Sequence, residues 1–270
     1  MGGNVLLTGA SRGIGPYIAR ALAAAGYNLA LVSRSRAEME ELAAELPTRG
    51  VVVVADLTDE SSIEGVVAEV ERELGPIDVL VNNAGGDPQR EFDEMTWGQN
   101  EAILRLNLIA PLQLAHRVLP GMLGRGRGHI VSISAIAGRV GFPYLESYAA
   151  AKEGLIGFTR VLRQDYRGRG VSASVVILGA IRDAGQGQRT SDAMGMKLPR
   201  AATSPASDVA AAVVEAIRHD RAEIVVMPGP GRLLLGLLEL FPSLGGTITR
   251  LSGASSTMAR VIERRKQSAA

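Results

Sequence analysis

The chain of 270 residues contains no cysteine and only three histidines. Without cysteine the protein has no disulfide, no thiolate nucleophile and no cysteine-ligated metal. The histidines, His116, His129 and His219, are far apart and no cluster of carboxylates accompanies them, so a metal-binding signature is missing. The sequence therefore excludes thiol chemistry and gives no reason to expect a bound metal.

A large excess of one charge is absent too, because 29 basic residues stand against 28 acidic ones and the net charge is +1. No overall field attracts nucleic acid, and we expect no nucleic-acid partner. The apolar stretch 232–241 is far too short to cross a bilayer. Since residues 1–4 run directly into an apolar segment, we expect no signal peptide and a cytoplasmic location.

Short apolar runs alternate with helical patterns along the chain. The runs are typical of strands buried on both faces of a parallel sheet, and they cover residues 4–7, 28–33, 51–55, 79–81, 130–133, 173–178 and 224–226. The helical patterns cover residues 17–22, 36–46, 60–74, 96–123, 144–167 and 207–219, with Asp59 and either Ser207 or Asp208 as N-caps. The predicted fold class is α/β, a Rossmann-like, doubly wound parallel sheet of about seven strands with helices on both faces.

The pattern predicts one main domain and a short extension. We assign residues 1–230 to a single dinucleotide-binding and catalytic domain, and residues 231–270 to a C-terminal helical extension. The extension is expected to cover the cleft or to form a subunit contact; weak peripheral membrane contact, helped by the basic residues 260–266, is the alternative. The irregular stretch 179–205 is typical of a lid or of disorder.

The glycine-rich segment Thr8–Gly15 lies between the first predicted strand and the first helix. In this position backbone N–H groups and the positive end of the helix dipole point at one place, which makes an anion site. Its three glycines permit a tight turn, close approach of a pyrophosphate and close packing of helix on strand. The letters also fit the G-x-S-x-G nucleophile elbow through Ser11, but no earlier βα loop precedes the strand, so a hydrolase is a minor alternative.

Two further features follow at the ends of predicted strands. The segment Ser33–Ser35 has no acidic residue for a ribose 2′-hydroxyl. It offers Arg34 instead, with Arg12 nearby in the glycine turn, and a guanidinium fork favours a 2′-phosphate and hence NADP. The segment Asn82–Gly85 is a tight turn that we expect beside the cofactor.

Tyr148 and Lys152 stand four residues apart, on one face of a predicted helix. A cation beside a phenol lowers the phenol pKa and makes it usable in acid–base catalysis at neutral pH. In their order along residues 4–227, these motifs resemble those of the short-chain dehydrogenase/reductase family in its smaller, single-domain type.

The resemblance implies hydride transfer between NADP(H) and a carbonyl/alcohol pair. Tyr148 would give a proton to the substrate oxygen, Lys152 would lower the Tyr148 pKa and hold the nicotinamide ribose, and Asn107 would hold a water that links Lys152 to solvent. The implied catalytic residues are Tyr148, Lys152, Asn107 and Ser134. The implied cofactor-binding residues are Gly9, Ser11, Arg12, Gly13, Ile14, Gly15, Arg34, Asp56, Leu57, Asn83, Ala84, Gly85, Tyr148, Lys152 and Ile181.

Three positions depart from the family pattern. The family's catalytic serine aligns with Ala135, thirteen residues before Tyr148, and Ser134 stands one residue earlier. The usual Pro-Gly pair is Leu178-Gly179, and a threonine is replaced by Asp183. Since successive residues of a strand point to opposite sides, Ser134 replaces the missing hydroxyl only if the backbone turns or bulges there. We therefore expect slow turnover of simple ketones.

Two other functions stay open at this point. One is an atypical or non-redox enzyme on the same scaffold, for example one that reduces imines or catalyses a cyclisation. The other is an NADP-binding regulatory protein without turnover.

The resemblance also implies partners. A homodimer or homotetramer is expected across the helices that hold Asn107 and Tyr148, whose apolar residues are Ala110, Leu114, Leu155, Phe158 and Leu162. We expect a small apolar carbonyl or alcohol as substrate, since residues 141–144, Met194 and Met196 would line its pocket.

Overall fold

The computed structural model describes residues 2–185, 188, 189 and 200–229, and four positions nearer the C-terminus, 233, 235, 236 and 240. The strands are β1 Asn4–Thr8, β2 Asn28–Ser33, β3 Gly50–Val54, β4 Val79–Asn82, β5 Gly128–Ala135, β6 Val171–Leu178, β7 Ile181–Arg182, β8 Ser204–Pro205 and β9 Glu223–Val226. The α-helices that lie wholly within the described residues are α1 Gly15–Ala24, α2 Arg36–Glu45, α3 Glu60–Leu74, α4 Trp97–Leu104, α5 Ala110–Arg125, α6 Glu146–Tyr166 and α7 Ala206–Arg218.

Seven strands form one parallel sheet in the order β3-β2-β1-β4-β5-β6-β9, which confirms the predicted Rossmann-like fold. The short strands β7 and β8 pair with each other separately, inside the stretch predicted to be irregular. The strand order reverses between β1 and β4. In open parallel sheets the crevice beyond the carboxyl ends of the strands at such a reversal is where ligands bind.

Helices cover both faces of the sheet and bury it. On one face α1, α2 and α7 pack through Ile18, Met39 and Val213, all fully buried. On the other face α3 and α5 pack through buried apolar residues such as Ile63 and Leu114. Because helices cover both faces of the sheet, the strands are mainly apolar rather than alternating between apolar and polar residues.

Two predicted helix limits are wrong, and the backbone shows why. The last helix begins at Ala206 directly after Pro205, whose ψ of 156° is extended, so Ser207 and Asp208 lie inside the first turn, and no side chain of the described residues caps it. The helix predicted from Tyr144 begins at Glu146, since Tyr144 has a φ of +66°, in the left-handed region. The predicted cap of α3 is confirmed, because the Asp59 carboxylate accepts the Ser61 N–H at 3.1 Å.

The predicted extension 231–270 lies outside the described residues apart from the four positions above, and so do Met194 and Met196. Of those four positions, Leu235 is buried whereas Leu233 and Leu240 are exposed. Within the described part of the chain no helix is long and apolar enough to cross a membrane. The division into residues 1–230 and 231–270 stays a prediction.

Candidate active site

A cleft of about 310 Å³ opens at the carboxyl ends of β1, β4, β5 and β6. The glycine turn forms the floor of the cleft, and there neighbouring backbone segments approach so closely that no side chain would fit between them. Gly9 has a φ of +66°, and a Cβ on Gly9 would lie 2.8 Å from Cα of Ala84. A Cβ on Gly15 would lie 2.1 Å from the Gly9 carbonyl oxygen. This cradle of bare backbone at the start of α1 fits a pyrophosphate, as the sequence predicts.

Thr8 and Asn83 hold the glycine turn against the end of β4. The Asn83 amide Nδ2 donates to the carbonyl oxygens of Thr8 at 2.9 Å and Gly9 at 3.1 Å. In return, Thr8 Oγ1 accepts the backbone N–H groups of Asn83 and Ala84, each at 3.0 Å. These bonds join the two strand ends where the sheet order reverses, so the floor of the cleft is fixed before any ligand binds.

The adenosine end of the cleft contains Arg34, Asp56 and Leu57, as predicted. A guanidinium nitrogen of Arg34 lies 3.6 Å from an Asp56 carboxylate oxygen, a pair that the sequence analysis did not foresee. Although partial burial opposes the shift, hydrogen bonds from Thr58 and the charge of Arg34 lower the pKa of Asp56. Arg34 and Arg12 both line the cleft, so a 2′-phosphate can reach them.

Tyr148 and Lys152 lie one turn apart on α6 and both line the cleft. The Lys152 ammonium nitrogen is 5.5 Å from the centre of the Tyr148 ring and donates to the Ile133 carbonyl oxygen at 3.0 Å. Lys152 itself is only 4% exposed. The pair thus occupies the position on the cleft wall that the sequence predicts for proton transfer.

The pKa directions at this pair differ from the expected ones. Tyr148 keeps part of its surface open to the cleft, yet burial by the surrounding protein raises its pKa, and the charge of Asp87 raises it further. Burial lowers the pKa of Lys152 to about 8. The expected lowering of the Tyr148 pKa is therefore not found, because removal of water destabilises the charged form of both groups.

Asn107 lies in a π-helical turn, Arg105–Ile109, that interrupts the helix predicted over 96–123. Its buried side chain accepts the Gly86 N–H at 3.1 Å and donates to the carbonyl oxygens of Gly86 at 2.8 Å and Ile103 at 2.9 Å. A Cβ on Gly85 would lie 2.6 Å from Asn107 Oδ1 and 3.2 Å from Lys152 Nζ. The asparagine side chain therefore fixes the loop after β4 beside Lys152.

The backbone of β5 decides whether Ser134 can replace the catalytic serine whose position is occupied by Ala135. The strand stays regular through Ala135, which pairs with Leu178, so the backbone bulge that Ser134 would need is not formed. Ser134 is 1% exposed, and its hydroxyl donates to the Lys152 carbonyl oxygen at 2.9 Å. Both Ser134 and Ala135 line the cleft. A catalytic role of Ser134 stays a prediction, and its hydrogen bond favours a role in holding α6.

The far wall of the cleft comes from the segment after β6. Ile181 lines the cleft as predicted. Asp183 is not among the described residues that line it; its carboxylate lies 3.7 Å from Nε of Arg182. Residues 141–144 are likewise described but not part of this lining, contrary to the expectation for the substrate pocket.

The sequence analysis missed several residues that line the cleft, and these include Ala55, Thr58, Gly86, Leu106, Ile133, Ala180, Gly185 and Arg189. Thr58 and Gly86 directly follow predicted site residues, so extending those motifs by one residue would have found them. Arg189 lies in the stretch predicted to be irregular and carries no local signal.

Comparison with known proteins agrees with this geometry. A sequence profile described as short chain dehydrogenase matches residues 3–193, which contain both the glycine turn and the Tyr148–Lys152 pair. The ketoacyl reductase HetN of Nostoc sp. (strain PCC 7120 / SAG 25.82 / UTEX 2576) is 35% identical over 260 residues, 93% of this chain and 90% of HetN. The 3-oxoacyl-(acyl-carrier-protein) reductase FabG of Escherichia coli (strain K12) is 35% identical over 176 residues, 65% of this chain and 72% of FabG.

A solved structure shows the same likeness in three dimensions. The crystal structure of a metagenomic short-chain oxidoreductase in complex with NADP superposes with a TM-score of 0.71 at 28% identity. The superposition covers 84% of this chain and 97% of that chain. Sequence and fold therefore point to one and the same family.

Proposed function

This chain belongs to the short-chain dehydrogenase/reductase family of oxidoreductases, and from that premise we propose that it is an NADP(H)-dependent ketoreductase. It would transfer hydride between the nicotinamide and a carbonyl/alcohol pair, on a small apolar substrate. One observation carries the proposal: the glycine cradle, Arg12, Arg34 and the Tyr148–Lys152 pair all line a single cleft. The NADP-bound structural relative and the two ketoacyl reductases support it.

The mechanism follows from the protonation of the residues at the cleft wall. When bound, the reduced nicotinamide supplies a hydride to the carbonyl carbon. The phenol of Tyr148, kept protonated by its raised pKa, donates its proton to the carbonyl oxygen, and the product is an alcohol. Lys152, with a pKa of about 8, is able to return a proton to Tyr148 near neutral pH. Asn107 keeps Gly85 and Gly86 in place beside Lys152.

The substitution Tyr148→Phe tests this mechanism because it removes only the phenolic hydroxyl. We expect ketone reduction to fall by about 10²–10⁴-fold, the usual share of general acid catalysis, while NADPH binding measured by calorimetry stays nearly unchanged. Tyr144→Phe is the matched control, since Tyr144 is not among the described residues that line the cleft. If Tyr148→Phe binds NADPH and keeps most of its ketone activity, the assigned mechanism is wrong.

A second candidate function, imine reduction, is favoured by Ala135 and Asp87. A methyl group lines the cleft where a second donor to a ketone oxygen would stand. The Asp87 charge that raises the Tyr148 pKa would stabilise a protonated imine, which accepts hydride without a proton from Tyr148. Under this alternative, Tyr148→Phe would lose ketone reduction but keep NADPH-dependent reduction of a cyclic imine.

We also propose that the protein is a homodimer or homotetramer. Oligomers are common in this family, and an apolar groove of about 430 Å³ between α5 and α6 supports a contact with a second copy. Cytoplasmic location and the lack of a nucleic-acid partner stay predictions from the sequence.

A further inference from the structure

Arg189 lines the same cleft as the glycine turn. It belongs to the segment that follows β7, and its side chain is exposed. Neither its position in the sequence nor the motifs of the sequence assign it a function. Its place in the cleft raises the question of which part of a dinucleotide it faces.

The packing of Gly185 answers this question. A Cβ on Gly13 would lie 3.4 Å from Cα of Gly185, and a Cβ on Gly185 would lie 3.4 Å from Cγ1 of Ile14. Gly185 therefore lies directly against the glycine turn. Gly185 and Arg189 are both helical and four residues apart, which places them on one face. Since helical side chains lean back toward the N-terminus, Arg189 leans over Gly185 toward the same turn.

A hydrogen bond within this segment supports the arrangement. The Asp183 N–H donates to Oε1 of Gln188 at 3.2 Å, a bond that closes the turn leading to Arg189. The Asp183 carboxylate points instead at Arg182, whose guanidinium also donates to the Thr203 carbonyl oxygen at 2.5 Å. The Asp183 carboxylate is thus paired with Arg182, which does not line the cleft, whereas Arg189 does.

The positions of the other phosphate-binding groups in the cleft indicate which part of the dinucleotide Arg189 binds. Arg34 lies at the end of β2, where the adenosine ribose binds in this fold, and is suited to a 2′-phosphate. The glycine turn offers backbone N–H groups to the pyrophosphate, and a guanidinium adds charge-assisted, bidentate hydrogen bonds to phosphate oxygens. On the basis of the proposed function, we propose that Arg189 binds the dinucleotide pyrophosphate together with the glycine turn.

The proposal predicts a pattern across four ligands that calorimetry can measure. NADPH, NADH and ADP-ribose contain the pyrophosphate, whereas 2′-AMP contains only the 2′-phosphate and the adenosine. Arg189→Ala is expected to weaken the binding of NADPH, NADH and ADP-ribose by about tenfold or more and to leave the binding of 2′-AMP unchanged. Arg34→Ala is expected to show the complementary pattern, with weaker NADPH and 2′-AMP and unchanged NADH and ADP-ribose.

Arg200→Ala is the matched control, because Arg200 is exposed and is not among the described residues that line the cleft. It should leave all four affinities unchanged, and Arg189→Lys should give an intermediate loss. If Arg189→Ala weakens only NADPH and 2′-AMP, or weakens nothing, the pyrophosphate assignment is overturned while the proposed function stands. If the unmodified protein binds neither NADPH nor NADH, the proposed function fails and this inference with it.

Discussion

A methyl group at position 135 decides how many donors a substrate oxygen meets in this cleft. Ala135 lines the cleft, while the hydroxyl of the neighbouring Ser134 is bonded to the Lys152 carbonyl oxygen at 2.9 Å. Tyr148 lines the same cleft, and we expect its hydroxyl to be the main donor to a ketone oxygen. A single preorganised donor is commonly worth about 10²–10³ in rate, so the methyl group matters.

At the scale of this residue, Ala135→Ser is expected to raise turnover of a simple ketone by about tenfold or more, because it restores a donor beside Tyr148. NADPH-dependent absorbance loss measures the change. Ser134→Ala is expected to lower turnover only modestly and to weaken the hold on α6. If Ala135→Ser has no effect and Ser134→Ala abolishes turnover, then Ser134 is the catalytic serine despite its hydrogen bond.

At the scale of elements, the contact between β5 and α6 sets the catalytic geometry. Ser132 and Ser134 point to the same side of β5 and bond to α6, through Thr159 Oγ1 at 2.8 Å and the Lys152 carbonyl oxygen at 2.9 Å. Thr159 also donates to the Leu155 carbonyl oxygen, so its one hydroxyl proton is used there and Ser132 acts as the donor to Thr159. These buried bonds fix the rotation of the helix that carries Tyr148.

The other end of β5 contains a buried histidine that makes stability depend on pH. His129 Nε2 is 2.7 Å from Ser174 Oγ, and that hydroxyl already donates to the Arg221 carbonyl oxygen at 2.5 Å. Nε2 therefore carries the proton and donates to Ser174. Burial lowers the pKa of His129 to about 4, although the charge of Asp220 opposes this. The folded protein thus keeps this imidazole neutral where an unfolded chain would protonate it.

The direction of this pH dependence follows from the difference in proton binding between the folded and unfolded states. Below pH 6.5 the unfolded chain binds a proton at position 129 that the folded protein binds only near pH 4, so stability falls as the pH decreases between these values. Over this whole range the free energy of unfolding falls by about 3 kcal/mol. Chemical denaturation between pH 4 and 7 should show that His129→Gln, although less stable at pH 7, has a shallower pH dependence. The exposed His219→Gln is the control, and an equal slope in His129→Gln and the unmodified protein would refute the assignment.

At the scale of the whole molecule, burial on α5 and α6 shows which of the predicted contact residues are accessible to a second copy. Of the predicted contact residues, Ala110, Leu114 and Leu155 are fully buried within the chain and do not line the outer groove. The apolar groove is lined by the predicted residues Phe158 and Leu162, and also by Leu112, Leu119 and Val161. Val161 is 57% exposed, which leaves an apolar surface for a second copy to cover.

We expect Val161→Arg to shift the protein from a dimer or tetramer toward smaller species, because it places a charge in a contact that would exclude water. Light scattering after size exclusion at micromolar concentration measures the mass. Val54→Arg is the control, since Val54 is also exposed, at 43%, but lies on β3 at the edge of the sheet. A monomeric unmodified protein, or a Val161→Arg variant of unchanged mass, would contradict the proposed interface.

The sequence alone determined the fold class and most of the cleft. Apolar strands and helical spacing are local patterns, and the glycines of Thr8–Gly15 are required by close backbone approaches at that turn. Asn83, Tyr148 and Lys152 follow strands whose carboxyl ends meet at one edge of a parallel sheet. Their meeting in one cleft therefore follows from the order of motifs along the chain.

The tertiary structure alone decided what individual side chains bond to. The Ser134 hydroxyl bonds to a carbonyl 18 residues away, and Arg34 lies beside Asp56. Arg189 and the glycine turn line one cleft although they are far apart in the sequence. Helical spacing showed that α5 and α6 are apolar, but not which residues face inward and which remain on the outside. Such contacts join residues distant in sequence, and they are set by the rotation and packing of whole elements, which no local pattern encodes.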